Sequence, residues 1–348
     1  MSPMHEILVE TTRGGLPGQG EHVENRHAGS VAVVDASGRL VASAGDPDFV
    51  SFTRSTIKPF QALPFVLAGG PKRLGFGPRE LALMCASHSA EPMHLAVVAG
   101  MLERAGASPA RLQCGCHVPL RFAATGASPP PDERFTEVEN NCSGKHAGFL
   151  AWCALHGAPM DGYLGFDHPL QRAIRERLSQ ACEVPDGAMR SGIDGCSAPN
   201  HAIPLRSLAL GYARLGRGAD GDGALAPALG ELSAAMFAHP ELVSGTGRQD
   251  LAIMRAAPGE WIAKAGADGV QAIAVRSAGL GIAVKITDGN ARAAVTAAIA
   301  VLDALGLTSA VQREALAPLA RPEIRNARGL RVGEARSVAV LNAPRSSP

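Results

Sequence analysis

Val31-Ala32-Val33-Val34, a turn at Asp35-Ala36-Ser37-Gly38, and Leu40-Val41-Ala42-Ser43-Ala44 read as a β-hairpin: two apolar runs around a turn that ends in glycine. Far along the chain, residues 260–265, 270–277 and 280–286 carry strand patterns, and a last strand is expected near 336–341. Between these ends the patterns are helical, over about 55–67, 78–86, 91–105, 143–155, 167–181, 203–215 and 225–238. An Ala-rich helix follows at 291–305, while residues 107–139 and 186–200 read as irregular. An antiparallel sheet drawing strands from both chain ends, with a helical middle region, predicts one α+β domain over 1–335. A final strand and a loose tail complete it over 336–348.

Composition removes several classes of function. The net charge of the 348 residues is +1 and no polybasic run occurs, so nucleic acid and anionic membranes are not expected partners. The opening MSPMHEILVETTRGG lacks the charged-then-apolar layout of a signal peptide, which predicts a cytoplasmic protein. The most apolar stretch, 291–311, carries Arg292 and Asp303 and therefore reads as a helix with one buried face. Seven cysteines, an odd number, favour reduced thiols over a disulfide framework.

Lysine is rare: only Lys58, Lys72, Lys145, Lys264 and Lys285 among 33 basic residues. Arginine stays protonated, whereas a buried lysine can lose its proton and act as a base. One Ser-x-x-Lys occurs, in Arg54-Ser55-Thr56-Ile57-Lys58-Pro59. At a helix start, residues three apart share a face, so a Lys58 amine can take the proton of a Ser55 nucleophile. The competing reading is a surface serine beside a lysine that extends to solvent. Ala86-Ser87-His88-Ser89 follows an apolar helix, and Lys264-Ala265-Gly266 ends a strand. That order, Ser-x-x-Lys, a Ser-rich turn, then Lys-x-Gly, is the order of the serine penicillin-recognising enzymes. A helix C-cap at Ser87-His88 and a solvated strand edge at Lys264 are the plainer alternatives.

A third constellation is Asn140-Asn141-Cys142-Ser143-Gly144-Lys145-His146, joined by Asp194-Gly195-Cys196. Two thiolates and one nitrogen make a first shell for Zn²⁺ with a position left open. Buried inert cysteines, or a Cys142–Cys196 disulfide, use the same residues. Cys114-Gly115-Cys116-His117 is spaced too tightly for a standard structural zinc site and reads as a packed turn. Gly245-Thr246-Gly247-Arg248 reads as a turn whose arginine can hold a carboxylate.

Taken with His239-Pro240-Glu241 and the extension Ala267-Asp268-Gly269, these segments resemble the Rhizobium-etli-type (class 3) L-asparaginases in order and over nearly the whole chain. The Asn-Cys-Ser-Gly-Lys-His run is the most specific of them. The resemblance implies a serine-β-lactamase-like fold, a homodimer, and hydrolysis of L-asparagine to aspartate and ammonia. It assigns Ser55 as nucleophile with Lys58 as its base, and Ser87 with Lys264 as a second Ser–Lys pair. It further assigns Cys142, Lys145 and Cys196 to a zinc ion, and Arg54, His88 and Asp194 to substrate contact. Cys116 stands where the family's turn more often has glycine. A glutaminase, a penicillin-type amidase, or a non-catalytic zinc-binding protein on the same scaffold would also carry these motifs.

Overall fold

A computed structural model describes residues 5–343, so the end of the expected tail lies outside the described residues. The chain forms two compact units. One comprises residues up to Thr56, Ile203–Ala213 and Ala263 onward; the other comprises Ile57–Ala202 and Arg214–Ile262.

The first unit is built on an eight-stranded sheet. Its order is Glu323–Arg325, Arg331–Ser337, Glu6–Arg13, His22–Asp35, Leu280–Ile286, Val270–Val275, Trp261–Gly266, with Leu40–Ala44 also pairing His22–Asp35. The expected hairpin is present, antiparallel, with Val31 opposite Ala44 and Val33 opposite Ala42. Its first strand is longer than the apolar run: it begins at His22 and pairs Glu6–Arg13 along its exposed, polar half. Its second half lies against Leu280–Ile286, where Ala32 faces Ala283. Gly29 stands at the change of neighbour, where an added Cβ would lie 2.2 Å from Lys285 O and 2.9 Å from Leu8 Cδ1. Helix Leu205–Arg217 presses on the sheet at Gly281, where a Cβ would meet Ala209 O at 1.8 Å. Helix Ala291–Ala304 buries Val295, Ile299 and Leu302, and Val31, Val33, Ile273 and Ile282 are buried on one face of the sheet. Helix Ala310–Ala320 buries only Leu316.

The second unit is helical. Its main helices are Lys58–Leu67, Pro78–Met84, Pro92–Arg104, Ser143–His156, Pro169–Cys182 and Ala226–Ala238. Ser143–His156 is buried on every face from Ser143 to Cys153. Two glycines one turn apart let it touch the Pro78–Met84 helix: a Cβ on Gly144 would lie 2.6 Å from Leu83 Cγ, and one on Gly148 2.6 Å from Met84 Cε. This close approach brings the start of one helix beside the end of the other.

Three expectations are corrected. The helix expected from Ser55 begins at Lys58, after a 3₁₀ turn over Arg54–Ile57 in which Arg54 has φ +52°. Proline at the second position of that helix lacks the N–H a preceding turn of α-helix would need. The stretch 186–200 holds the hairpin strands Arg190–Ile193 and Pro199–Pro204 instead of a loop. The last strand is Arg331–Ser337, whose register with Glu6–Arg13 sets Ala335 opposite Thr11 and Ser337 opposite Val9.

Candidate active site

In the helical unit, Lys58 is 1% exposed although it opens a helix. Its Nζ donates to Ala86 O at 2.6 Å, to Ser87 Oγ at 2.9 Å and toward Asn141 Oδ1 at 3.5 Å. Three acceptors match the three N–H bonds of an ammonium. Ser87 follows the Pro78–Met84 helix. Its N–H donates to Val243 O at 3.0 Å and its carbonyl accepts from Arg248 Nη1 at 2.6 Å. The Gly245–Arg248 turn thus clamps the serine through its arginine, whose pKa burial lowers.

His88 is wholly buried, and both its ring nitrogens are engaged. Nδ1 accepts from Ala90 N–H at 3.1 Å, so the ring hydrogen sits on Nε2, which donates to Ser143 Oγ at 2.8 Å. The Ser143 hydroxyl then donates to Val138 O at 2.7 Å. Burial, with the charges of His94, Lys58 and Arg248, holds His88 well below the usual histidine range, so this neutral chain is kept. His88 was expected at the substrate; its hydrogen bonds are instead internal, tying the Ser87 turn to the helix that starts at Ser143.

That helix start also gathers the cysteine cluster. Cys142, Lys145 and Cys196 are 4%, 3% and 3% exposed, and Lys145 Nζ lies 3.0 Å from Cys196 Sγ. A hydrogen bond from Cys142, then the Lys145 ammonium, draws the Cys196 thiol far below its ordinary pKa. The same Cys142–Cys196 contact, with burial, pushes Cys142 up. Burial opposes the charge on Lys145, but the Cys196 and Cys142 sulfurs outweigh it and raise its pKa. All seven cysteines are free thiols, so the disulfide alternative is absent. Among the described residues no three His, Cys, Asp or Glu side chains form a metal-binding group. With its lysine counted, the cluster offers two sulfurs and one nitrogen, a donor set that fits Zn²⁺ once the amine has lost its proton. Asp194, half-buried two residues before Cys196, adds to the rise on Lys145.

Sequence reasoning gave no role to two residues that join these groups. Asn141 lies between Lys58 and Cys142, and its Nδ2 meets His117 Nε2 at 2.8 Å. Asn140 Nδ2 donates to Cys114 O at 3.0 Å and Gly115 O at 2.9 Å, which makes Cys114–His117 the packed turn expected, with Cys116 exposed. Both lie in motifs quoted above, but a neutral amide carries no chemistry that spacing alone would flag.

In the sheet unit, Ser55 is half-buried in the Arg54–Ile57 turn. That turn is fixed by Thr56 Oγ1 donating to Thr53 O at 2.6 Å and by Tyr212 donating to Thr56 O at 2.7 Å. Arg54 forms an ion pair with Asp268. Lys264 is 0% exposed, with Nζ 2.9 Å from Ala265 O, so the solvated-edge alternative fails. Two residues on, Gly266 lets the strand lie against the turn: a Cβ there would be 2.9 Å from Thr53 O and 3.2 Å from Arg54 Cβ. The glycine of Lys-x-Gly therefore has a packing reason. The Ser–Lys hydrogen bond present in the helical unit joins Lys58 to Ser87, a pairing the motif spacing did not anticipate.

Among solved structures, the chain is similar to a β-lactamase from Mycobacterium bovis at 15% identity and a TM-score of 0.37, covering 84% of this chain and 94% of that one. A penicillin-binding protein homologue from Caulobacter crescentus matches at 15% identity and a TM-score of 0.39, covering 78% and 92%. Superpositions this loose carry no argument about mechanism. No curated protein sequence matches the chain. The family model for L-asparaginase II matches residues 9–337, from the first strand of the sheet through its last, and so takes in every residue placed above. The chain belongs to the L-asparaginase II family.

Proposed function

We propose that this amidohydrolase converts L-asparagine to L-aspartate and ammonia by acyl transfer to a serine. Family membership supports amide hydrolysis. The observation that carries the Ser–Lys chemistry is the buried Lys58 Nζ, held by three acceptors and 2.9 Å from Ser87 Oγ. When that nitrogen is an unprotonated amine, its lone pair takes the Ser87 O–H and its two N–H bonds keep the other acceptors. The same cage thus serves both states of a base.

In this reading Ser55 attacks the side-chain amide carbon and Lys58 accepts its proton. Ammonia leaves with a proton returned by the Ser–Lys network, and water hydrolyses the aspartyl-enzyme. Ser87 and Lys264 complete the proton path, and Arg54 and Asp194 contact the substrate. Cys142, Lys145 and Cys196 are the residues that would hold a zinc ion, which when bound supplies a fixed positive centre for an oxygen of the substrate. A homodimer in the cytoplasm accompanies this reading, checked by light scattering and by fractionation.

The Lys58–Ser87 contact favours a second assignment, in which Ser87 is the acylated residue. The test is ammonia release from asparagine and glutamine by wild type, Ser55→Ala and Ser87→Ala, with mass spectrometry of the quenched enzyme. Full activity in Ser55→Ala with the acyl group on Ser87 selects the second assignment. Hydrolysis of a chromogenic cephalosporin with no ammonia from either amide refutes both.

A further inference from the structure

The sense of the Asn141 amide is fixed by its surroundings. His117 Nδ1 lies 2.7 Å from Val118 O, and a carbonyl can only accept, so Nδ1 carries a hydrogen. Nε2 is then the acceptor for both Asn141 N–H at 3.1 Å and Asn141 Nδ2–H at 2.8 Å. With Nδ2 committed there, Oδ1 faces the other way. It stands 3.5 Å from Lys58 Nζ and 3.1 Å from Cys142 Sγ. The backbone carbonyl of Asn141 also accepts from His88 N–H at 3.1 Å, beside Ser87. One side chain thus touches the lysine of the Ser–Lys centre and a sulfur of the Cys–Lys–Cys cluster.

The turn that presents His117 is itself fastened. Asn140 holds the Cys114 and Gly115 carbonyls and accepts from Cys142 N–H at 2.8 Å, and Gly115 sits at φ +68°. Asn140 and Asn141 therefore divide the work. The first bonds only backbone and holds the turn in place; the second bonds side chains of both centres. An aspartate at 141 has the same shape but no donor for His117. A leucine has neither donor nor acceptor.

We propose that Asn141 is a positioning residue that holds Lys58 Nζ through its side-chain oxygen, with His117 Nε2 fixing which way that oxygen points. The inference rests on Lys58 acting as base in the reaction proposed above. Losing an acceptor from a charged donor commonly costs tenfold to a hundredfold, and the 3.5 Å separation places this one at the low end. Asn141→Leu is expected to lower kcat for asparagine about tenfold with KM within about threefold, because the lost contact is to the base. His117→Gln, whose Oε1 can replace Nε2 as acceptor, is expected to retain more kcat than His117→Leu. Asn140→Ser is expected to lower Tm with little change in kcat.

A spectroscopic signature separates this from a merely structural role. In ¹⁵N spectra of labelled wild type, His117 is expected as the Nδ1–H tautomer, and Asn141→Asp is expected to abolish that preference. The Lys58 ¹⁵Nζ resonance should shift in Asn141→Leu. Wild-type kcat in a folded Asn141→Leu, or an Nε2–H tautomer at His117 in wild type, overturns the proposal. If wild type releases ammonia from neither asparagine nor glutamine, the functional reading fails by itself. The positioning role is then decided by the Lys58 resonance, and an unchanged resonance in Asn141→Leu overturns it.

Discussion

Replacing Gly144 by alanine tests how the site is assembled. The new methyl would lie 2.6 Å from both Leu83 Cγ and Leu83 O. A carbonyl in the last turn of a buried helix cannot rotate away, so the Ser143–His156 helix itself must retreat. Overpacking of this kind costs about 1–3 kcal/mol, and a rigid neighbour places it near the upper figure. Alanine recovers about 1 kcal/mol over glycine within a helix. The net expectation is about 2 kcal/mol of lost stability, about 3 °C in Tm for a chain of this length. Gly148→Ala is the control: its methyl meets Met84 Cε at 2.6 Å, Cγ at 2.9 Å and Sδ at 3.1 Å, all on one flexible side chain and none on backbone. There the helical gain and the packing cost roughly cancel. Asparagine turnover should follow the same order, since Gly144 stands between Ser143, which binds His88, and Lys145, which binds Cys196. Calorimetry and ammonia release on both variants are the measurements. Gly144→Ala melting with wild type, or no more damaging than Gly148→Ala, refutes the view that this close approach sets the site.

Three further outcomes are expected. Ser143→Ala should cost about 1–3 kcal/mol in urea unfolding, because it strands the buried His88 Nε2–H, and wild-type stability would show the chain to be idle. Burial, then the Arg175 charge, lowers His201 to about 4 from 6.5. Above 6.5 both folded and unfolded states are neutral, and between 6.5 and 4 only the unfolded state gains the proton. Stability should therefore fall by at most about 3 kcal/mol over that window as acid is added, and His201→Gln should flatten the fall. Cys196→Ser should abolish stoichiometric zinc in metal analysis of purified protein; zinc retained in this variant would remove Cys196 from the donor set.

The sheet was legible where a strand has a buried face and hidden where it has none. Val31–Val34 alternates little because both its faces are covered, and it was read at once. His22–Arg26, the same strand, is exposed and polar, so nothing in its pattern marked it. Helix Ala310–Ala320 was missed for the same reason, with one buried residue and a proline inside. In the site, residue types were legible because serine, lysine and cysteine announce chemistry. The grouping of Cys142, Lys145 and Cys196 was legible too, whereas the Lys58–Ser87 hydrogen bond was not. The i to i+3 argument joined Lys58 to Ser55 and did not foresee a second hydroxyl. The hydroxyl bonded to Nζ belongs to Ser87, brought there by packing at Gly144 and Gly148.

The scarcity of lysine acquires a physical sense from where the five lie. Lys58, Lys145 and Lys264 are 1%, 3% and 0% exposed, whereas only Lys72 is fully at the surface. Lysine is among the residues least often buried, because an isolated ammonium loses far more in hydration than packing returns. A coding preference for arginine explains its absence from the surface but not its retention inside. What the interior offers does explain it. Lys58 meets three acceptors converging on one point, a match for a compact ammonium and a poor one for a planar guanidinium with five forked donors. Lys145 meets a sulfur at 3.0 Å, a contact that can pass from ion pair to shared ligand set only if the nitrogen can be deprotonated. Arginine can do neither. Lys58 and Lys145 are therefore held where a compact point charge fits and a planar guanidinium does not.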